Sequence, residues 1–233
     1  GRQARQLLRP PGGLAGKAER LTAAAVAGCV LAGPAGTSIR RSALNRLPRA
    51  LRETIGVDGG HSSRSPEAGL ELLLDLLTLD DALAQLSEPA PEVVRDTLTR
   101  LTAGLNVLTL PDGRLVSMQG GGPSTVARVA AARADDEAVA PTSGVAVAGI
   151  VRIQSPLLTI VADAAAPARG AWSTAACAQP LALEIVCGRD RLISGCGWTP
   201  RAADRQGLRL TPGHSTLTLG ETSIAEPLGG WKA

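Results

Sequence analysis

The chain has 233 residues, 44% of them apolar, enough to bury one large core or two small ones. The apolar mass is Ala, Leu and Val; Phe and Tyr are absent, and Trp172, Trp198 and Trp231 are the only aromatics. That removes Tyr as a proton-transfer group, and with so few rings for stacking bases it argues against a nucleic-acid reader.

The net charge of +3 hides an asymmetry. Residues 1–66 carry 11 Lys+Arg against 3 Asp+Glu, a balance of +8, and the remainder carries 13 against 18, a balance of −5. The basic part is almost all Arg, which pairs bidentately with carboxylate, sulfate or phosphate. It reads either as an electropositive surface for an acidic polymer or as solvated helix faces written in Arg rather than Lys. Of the cysteines, Cys29 sits in an apolar helical run and reads as a small buried residue; no CxxC pair exists, so the redox compartment is open. The longest apolar stretch, Leu21–Gly33, is too short to cross a bilayer. The chain opens without Met, and its true start is expected upstream.

In chain order, the spacing predicts a helix over Lys17–Ala32, ended by Gly33-Pro34, and another over Ser38–Ile55 that Pro48 should kink or divide. The turn-rich segment Val57–Pro66 leads into a Leu-rich helix over Pro66–Leu86, whose apolar stripe is broad enough to be buried on two sides. A helix over Pro91–Leu105 follows, with Pro91 in its first turn. Leu108–Met118 reads as a short hairpin around Pro111-Asp112-Gly113, and Thr125–Ala134 as a helix capped by Ser124. Gln119–Ser124 reads as a tight connection, since it lacks the Lys and preceding strand of a phosphate cradle. After Asp135-Asp136-Glu137 the pattern turns to strands: Gly149–Ser155, Leu157–Ala162, Leu181–Val186, Arg191–Ser194 and Ser215–Leu219. Helices first and strands later predict two layers in series, not an alternating α/β fold.

Several segments in this order resemble the bacterial heparinase II/III-like polysaccharide lyases. They are Asp58-Gly59-Gly60-His61-Ser62-Ser63-Arg64-Ser65-Pro66, Asp112-Gly113-Arg114-Leu115, Arg128–Ala132, Thr159–Ala164, Leu181-Ala182-Leu183-Glu184 with Gly188 and Arg191-Leu192, Gly195-Cys196-Gly197, and His214–Leu219. The resemblance spans about residues 20–227. It implies an α+β multidomain chain: a partial (α/α) toroid of helical hairpins over 1–138, then an antiparallel β-sandwich portion over 139–233. The chain is expected to be a fragment of that arrangement, with exposed apolar surface and open strand edges.

The resemblance further implies β-elimination on a uronic-acid-containing acidic polysaccharide, in the periplasm or cell envelope of a bacterium. Such a reaction needs a group to neutralise the uronate carboxylate, a base for the adjacent C–H proton and an acid for the leaving oxygen. In the family Asn or His neutralises, Tyr and His exchange protons, and a metal site uses His, Asp and His. Here no Tyr follows Ser65-Pro66, and no Asn-His pair is visible around Leu21–Val26. Cys177 stands at the first metal position, Gly195 followed by Cys196 at the second, and His214 at the third. The catalytic candidates are therefore His61, Arg64 and His214, with Arg152 as a polyanion contact. Cys177, Cys196 and His214 are the candidate ligands for zinc. Each also has a plainer reading: a loop His and Arg bonding local carbonyls, a strand-end His, packing cysteines and a solvated strand Arg. The rival function is a non-catalytic, glycan-binding or envelope-associated member of the same family.

Overall fold

The computed structural model describes residues 2–9, 16–122, 124–134, 143–198, 206–220 and 222–225. Six helices come first: α1 (Arg2–Leu7), α2 (Lys17–Val30), α3 (Gly33–Thr54), α4 (Pro66–Ala84), α5 (Glu92–Leu108) and α6 (Val126–Ala132). Five strands follow: β1 (Val145–Val147), β2 (Ile150–Gln154), β3 (Leu158–Asp163), β4 (Leu183–Cys187) and β5 (Asp190–Ile193). The expected α+β order of helical region and antiparallel sheet is what the structure has. The proposed boundary at 138/139 lies outside the described residues.

Small side chains explain how the helical layer packs without aromatics. Helix α2 buries Ala18, Leu21, Ala24 and Ala25, and α3 buries Ile39, Ala43, Leu47 and Leu51 at helical spacing. A Cβ on Gly28 would lie 2.6 Å from the Arg40 backbone nitrogen, so the two backbones approach closely only because Gly28 has none. Helix α4 packs against α2 on one side and α5 on the other, and Leu70, Leu72, Leu73, Leu76, Leu79 and Leu83 are all essentially solvent-free. The double-sided burial expected for that helix is therefore found.

The helix boundaries and caps differ from expectation at three places. Gly33-Pro34 does not only end α2; it opens α3, because a proline in the first turn sacrifices an N–H that has no partner there anyway. Pro48 does not divide α3, which runs unbroken to Thr54. The N-cap of α6 is Thr125, which accepts from the Arg128 backbone N–H, not Ser124.

The sheet is an antiparallel meander in the order β1-β2-β3-β4-β5. Its inner face buries Ile150, Arg152, Thr159, Val161, Asp163, Glu184 and Val186 against the helical layer. Its outer face carries a cross-strand row: Ile153 opposes Ile160, Ile160 opposes Ile185, and Ile185 opposes Ile193. The expected strand Ser215–Leu219 is absent; a 3-10 turn at Thr211–Gly213 precedes His214, and only an isolated bridge joins Leu219 to Thr222. Ser215 and Thr216 instead spend their hydroxyls on the carbonyls of Leu183 and Pro180, which keeps the segment beside β4 without a ladder.

Candidate functional site

The loop between α3 and α4 is folded tightly enough to present its side chains in fixed directions. Ile55 and His61 form an antiparallel bridge, and Asp58 accepts from the backbone N–H groups of Gly60 and Ala148. Gly59 has φ 77°, and a Cβ there would lie 2.0 Å from the Arg100 carbonyl oxygen, so only glycine seats this loop on α5. Ser65 caps α4, and the loop reaches the edge of the sheet at Ala148.

His61 is buried and both ring nitrogens are engaged. The Ser63 backbone N–H donates to Nδ1 at 3.1 Å, so Nδ1 is the bare nitrogen, and it lies 2.6 Å from the Ser63 hydroxyl. Nε2 then carries the proton and donates to Glu19 Oε1 at 3.3 Å. Burial pushes the Glu19 carboxyl up, but the His61 hydrogen bond and the backbone outweigh it, leaving the group below its ordinary range. The Trp172 ring meets the imidazole edge-on, with centroids 5.6 Å apart.

Arg64 is equally committed. Its Nε donates to Ala148 O at 2.7 Å, its Nη1 to Ala165 O and Ala166 O at 2.9 Å each, and its Nη2 pairs with Asp163 Oδ1. Four acceptors occupy a group with five N–H donors, and the residue takes a left-handed φ of 64° to reach them. Asp163, on the inner face of β3, also accepts from Gln119 Nε2 at 2.6 Å and Gln179 Nε2 at 3.1 Å. This hub of Arg64, Asp163, Gln119 and Gln179 is buried and joins the helical layer to the sheet.

The other predicted residues fall around the hub without completing a reaction centre. His214 feels the Asp163 charge, but burial dominates and pushes its pKa below the ordinary histidine value; its Nε2 is buried without a hydrogen-bond partner among the described residues. It does not line the cavity beside His61. That cavity, between Gly60, His61, Arg64, Leu105 and Ala148, measures about 10 Å³, the least that holds one water. Arg152 corrects the expectation of a polyanion contact or a solvated face: it is buried, and its Nη1 donates to Val107 O and Thr109 O at the C-terminal end of α5.

The three expected zinc ligands do not form a set. Among the described residues no three His, Cys, Asp or Glu side chains are arranged to hold a metal. Burial pushes the Cys177 thiol up to about 11, and the thiol hydrogen-bonds Ala175 O, whereas a zinc ligand must be a thiolate. Cys196 is exposed. These residues do not fit a zinc ion.

Glu19, Asp163, Gln119, Gln179 and Trp172 are the site residues that sequence reasoning missed. Asp163 lay inside a quoted segment, yet period-2 burial of the strand was the only signal that it faces inward. The long-range partners carry no local signature.

A layer of helical hairpins followed by an antiparallel sheet is a fold that this chain shares with solved heparinase structures. A crystal structure of heparinase III superposes with TM-score 0.75 at 16% identity, over 96% of this chain and 42% of that one. The heparan sulfate lyase HepC of Pedobacter heparinus superposes with TM-score 0.66 at 17% identity, over 94% and 39%. These likenesses define the fold. Residues 137–233 match the family described as Heparinase II/III-like, C-terminal. A curated relative, FtsZ-localized protein C of Caulobacter vibrioides (strain NA1000 / CB15N), is 42% identical over an alignment of 238 residues that takes in 100% of this chain. The chain spans 40% of that relative's length.

Proposed function

We propose that this chain is part of a non-catalytic member of the family, one that keeps the lyase scaffold for binding at the bacterial envelope and division site. The observation that carries the reading is the closed state of the loop that bears His61 and Arg64. Both nitrogens of His61 and four donors of Arg64 are already satisfied by protein, and the adjoining cavity has no room for a sugar ring. No Tyr exists to complete a proton-transfer pair. The relative named for its localisation with FtsZ supports the division-site placement, and the family supports an acidic polysaccharide as the bound partner.

The test is incubation of the full-length protein with heparan sulfate, alginate and other uronate polymers, following the ultraviolet absorbance of an unsaturated product. No product is expected, with polyanion binding that weakens as salt rises. In cells, a fluorescent fusion should gather where FtsZ gathers. Turnover abolished by His61→Ala would reverse the reading in favour of a uronate lyase. That rival has one observation behind it: the His61–Glu19 pair is arranged as a base and its orienting carboxylate. In it His61 and His214 exchange protons and Arg64 grips the carboxylate.

A further inference from the structure

The segment 164–176, between β3 and the approach to β4, lies across the His61–Arg64 loop and is built differently from everything it touches. Its sequence is Ala164-Ala165-Ala166-Pro167-Ala168-Arg169-Gly170-Ala171-Trp172-Ser173-Thr174-Ala175-Ala176, and one large apolar side chain, Trp172, projects from it. The 3-10 helix within it, Gly170–Ala175, buries none of its residues. Its anchorage is concentrated at the two ends. At one end Arg64 holds the carbonyls of Ala165 and Ala166; at the other Arg209 donates to Ser173 O and Ala176 O. Each end also rests in a glycine notch. A Cβ on Gly149 (φ +73°) would lie 2.3 Å from Ala165 Cβ, and one on Gly120 (φ +78°) 2.4 Å from Ala175 Cβ. Between the ends, Trp172 stands nearly perpendicular to the imidazole, and this contact closes over His61.

We propose that residues 164–176 are a strap that closes over His61, seated at both ends by glycine notches and plugged by Trp172, and able to lift without unfolding the sheet. Backbone hydrogen bonds at two ends and one ring are weak retention compared with the continuous ladder that pairs β3 with β4 on either side. The strap accounts for how the scaffold keeps an imidazole–carboxylate pair yet shields it, whether or not that pair turns a substrate over.

The test uses diethyl pyrocarbonate, which carbethoxylates accessible imidazole nitrogen, on full-length protein carrying His214→Gln so that His61 is the histidine followed in this region. In the closed protein His61 should react at least about tenfold more slowly than in the urea-unfolded chain, and Trp172→Ala or Gly120→Ala should raise its reactivity by about threefold or more over the unsubstituted protein, the Glu19 and Ser63 bonds keeping the rest, while circular dichroism is unchanged. If either variant fails to fold, hydrogen exchange of the unsubstituted protein decides: amides of 165–175 should exchange well before those of β3 and β4. Equal His61 reactivity with the strap in place, or strap amides that exchange only with global unfolding, would overturn the strap. Trp172→Ala that gains turnover on a uronate polymer would sustain the strap and overturn the non-catalytic reading, so the two fail separately.

Discussion

The helical layer and the sheet solve the burial problem in opposite ways. The helices close on themselves through Ala, Gly and Leu, and the largest fully buried side chains cluster in α2, α3 and α4. The sheet buries one face and fills it with charge: Arg152, Asp163 and Glu184 stand among Val161 and Val186. Its other face is left apolar. Of the fourteen large apolar side chains exposed among the described residues, ten lie in 143–225. A helical layer needs only shape to hold, whereas this sheet holds its neighbour by satisfied ions, and an ion whose partner is removed is a liability.

That contrast gives its largest effect at the hub. Asp163→Ala strands the Arg64 guanidinium in a buried setting and should cost ~3–5 kcal/mol in urea unfolding, the range for breaking a buried pair from one side. If it costs no more than a surface change, the two layers are held by something other than the hub. Within the helices, Leu76→Ala should cost ~2–5 kcal/mol by cavity formation, with an unchanged denaturant slope. The outer sheet face sharpens the comparison: Ile153→Thr, at a side chain 52% exposed, should cost less than ~1 kcal/mol. A loss as large as that of Leu76→Ala would show that the isoleucine row is covered in solution.

The smallest effect is on pH dependence. Burial lowers the folded pKa of His214 below its ordinary value of 6.5, so the neutral ring is the form the fold favours. Its contribution is present above the unfolded pKa and is lost as pH falls through the folded one. Melting temperature should therefore decline on acidification below about 6.5, and His214→Gln should flatten that part of the profile. Glu19 and Asp112, both held below the usual carboxylate range, lose their contribution further into acid.

Much of this architecture was legible in residue spacing. Helices α2 to α5 and strands β2 to β5 fall within a few residues of their expected ranges, because period 3.6 and period 2 are written in Leu and Val. Pro111-Asp112-Gly113 made its turn, with Gly113 N bonded to Leu110 O. Misreadings came where a local rule had two outcomes. Proline after glycine can stop a helix or start one, and Gly33-Pro34 started α3. A His after Pro-Gly looked like a strand opening, yet hydroxyl side chains at 215 and 216 took the carbonyls a ladder would use. The site was less legible than the fold. His61 and Arg64 were found from their company of turn formers, but Glu19 is 42 positions from His61 and Asp163 is 99 from Arg64. Nothing local marks such pairs, and Arg152 shows the converse: a strand arginine expected as a polyanion contact or on a solvated face in fact serves a helix terminus.

The distance between Arg64 and its partners has a consequence for biosynthesis. The 99 residues that separate Arg64 from Asp163 take ~5–20 s to add at ribosomal rates of about 5–20 residues/s. For that interval the guanidinium is hydrated and the left-handed turn at 64 lacks the four acceptors that hold it. The helices must therefore assemble on their own short-range contacts, and the nascent sheet arrives to find a waiting cation that fixes where its third strand docks.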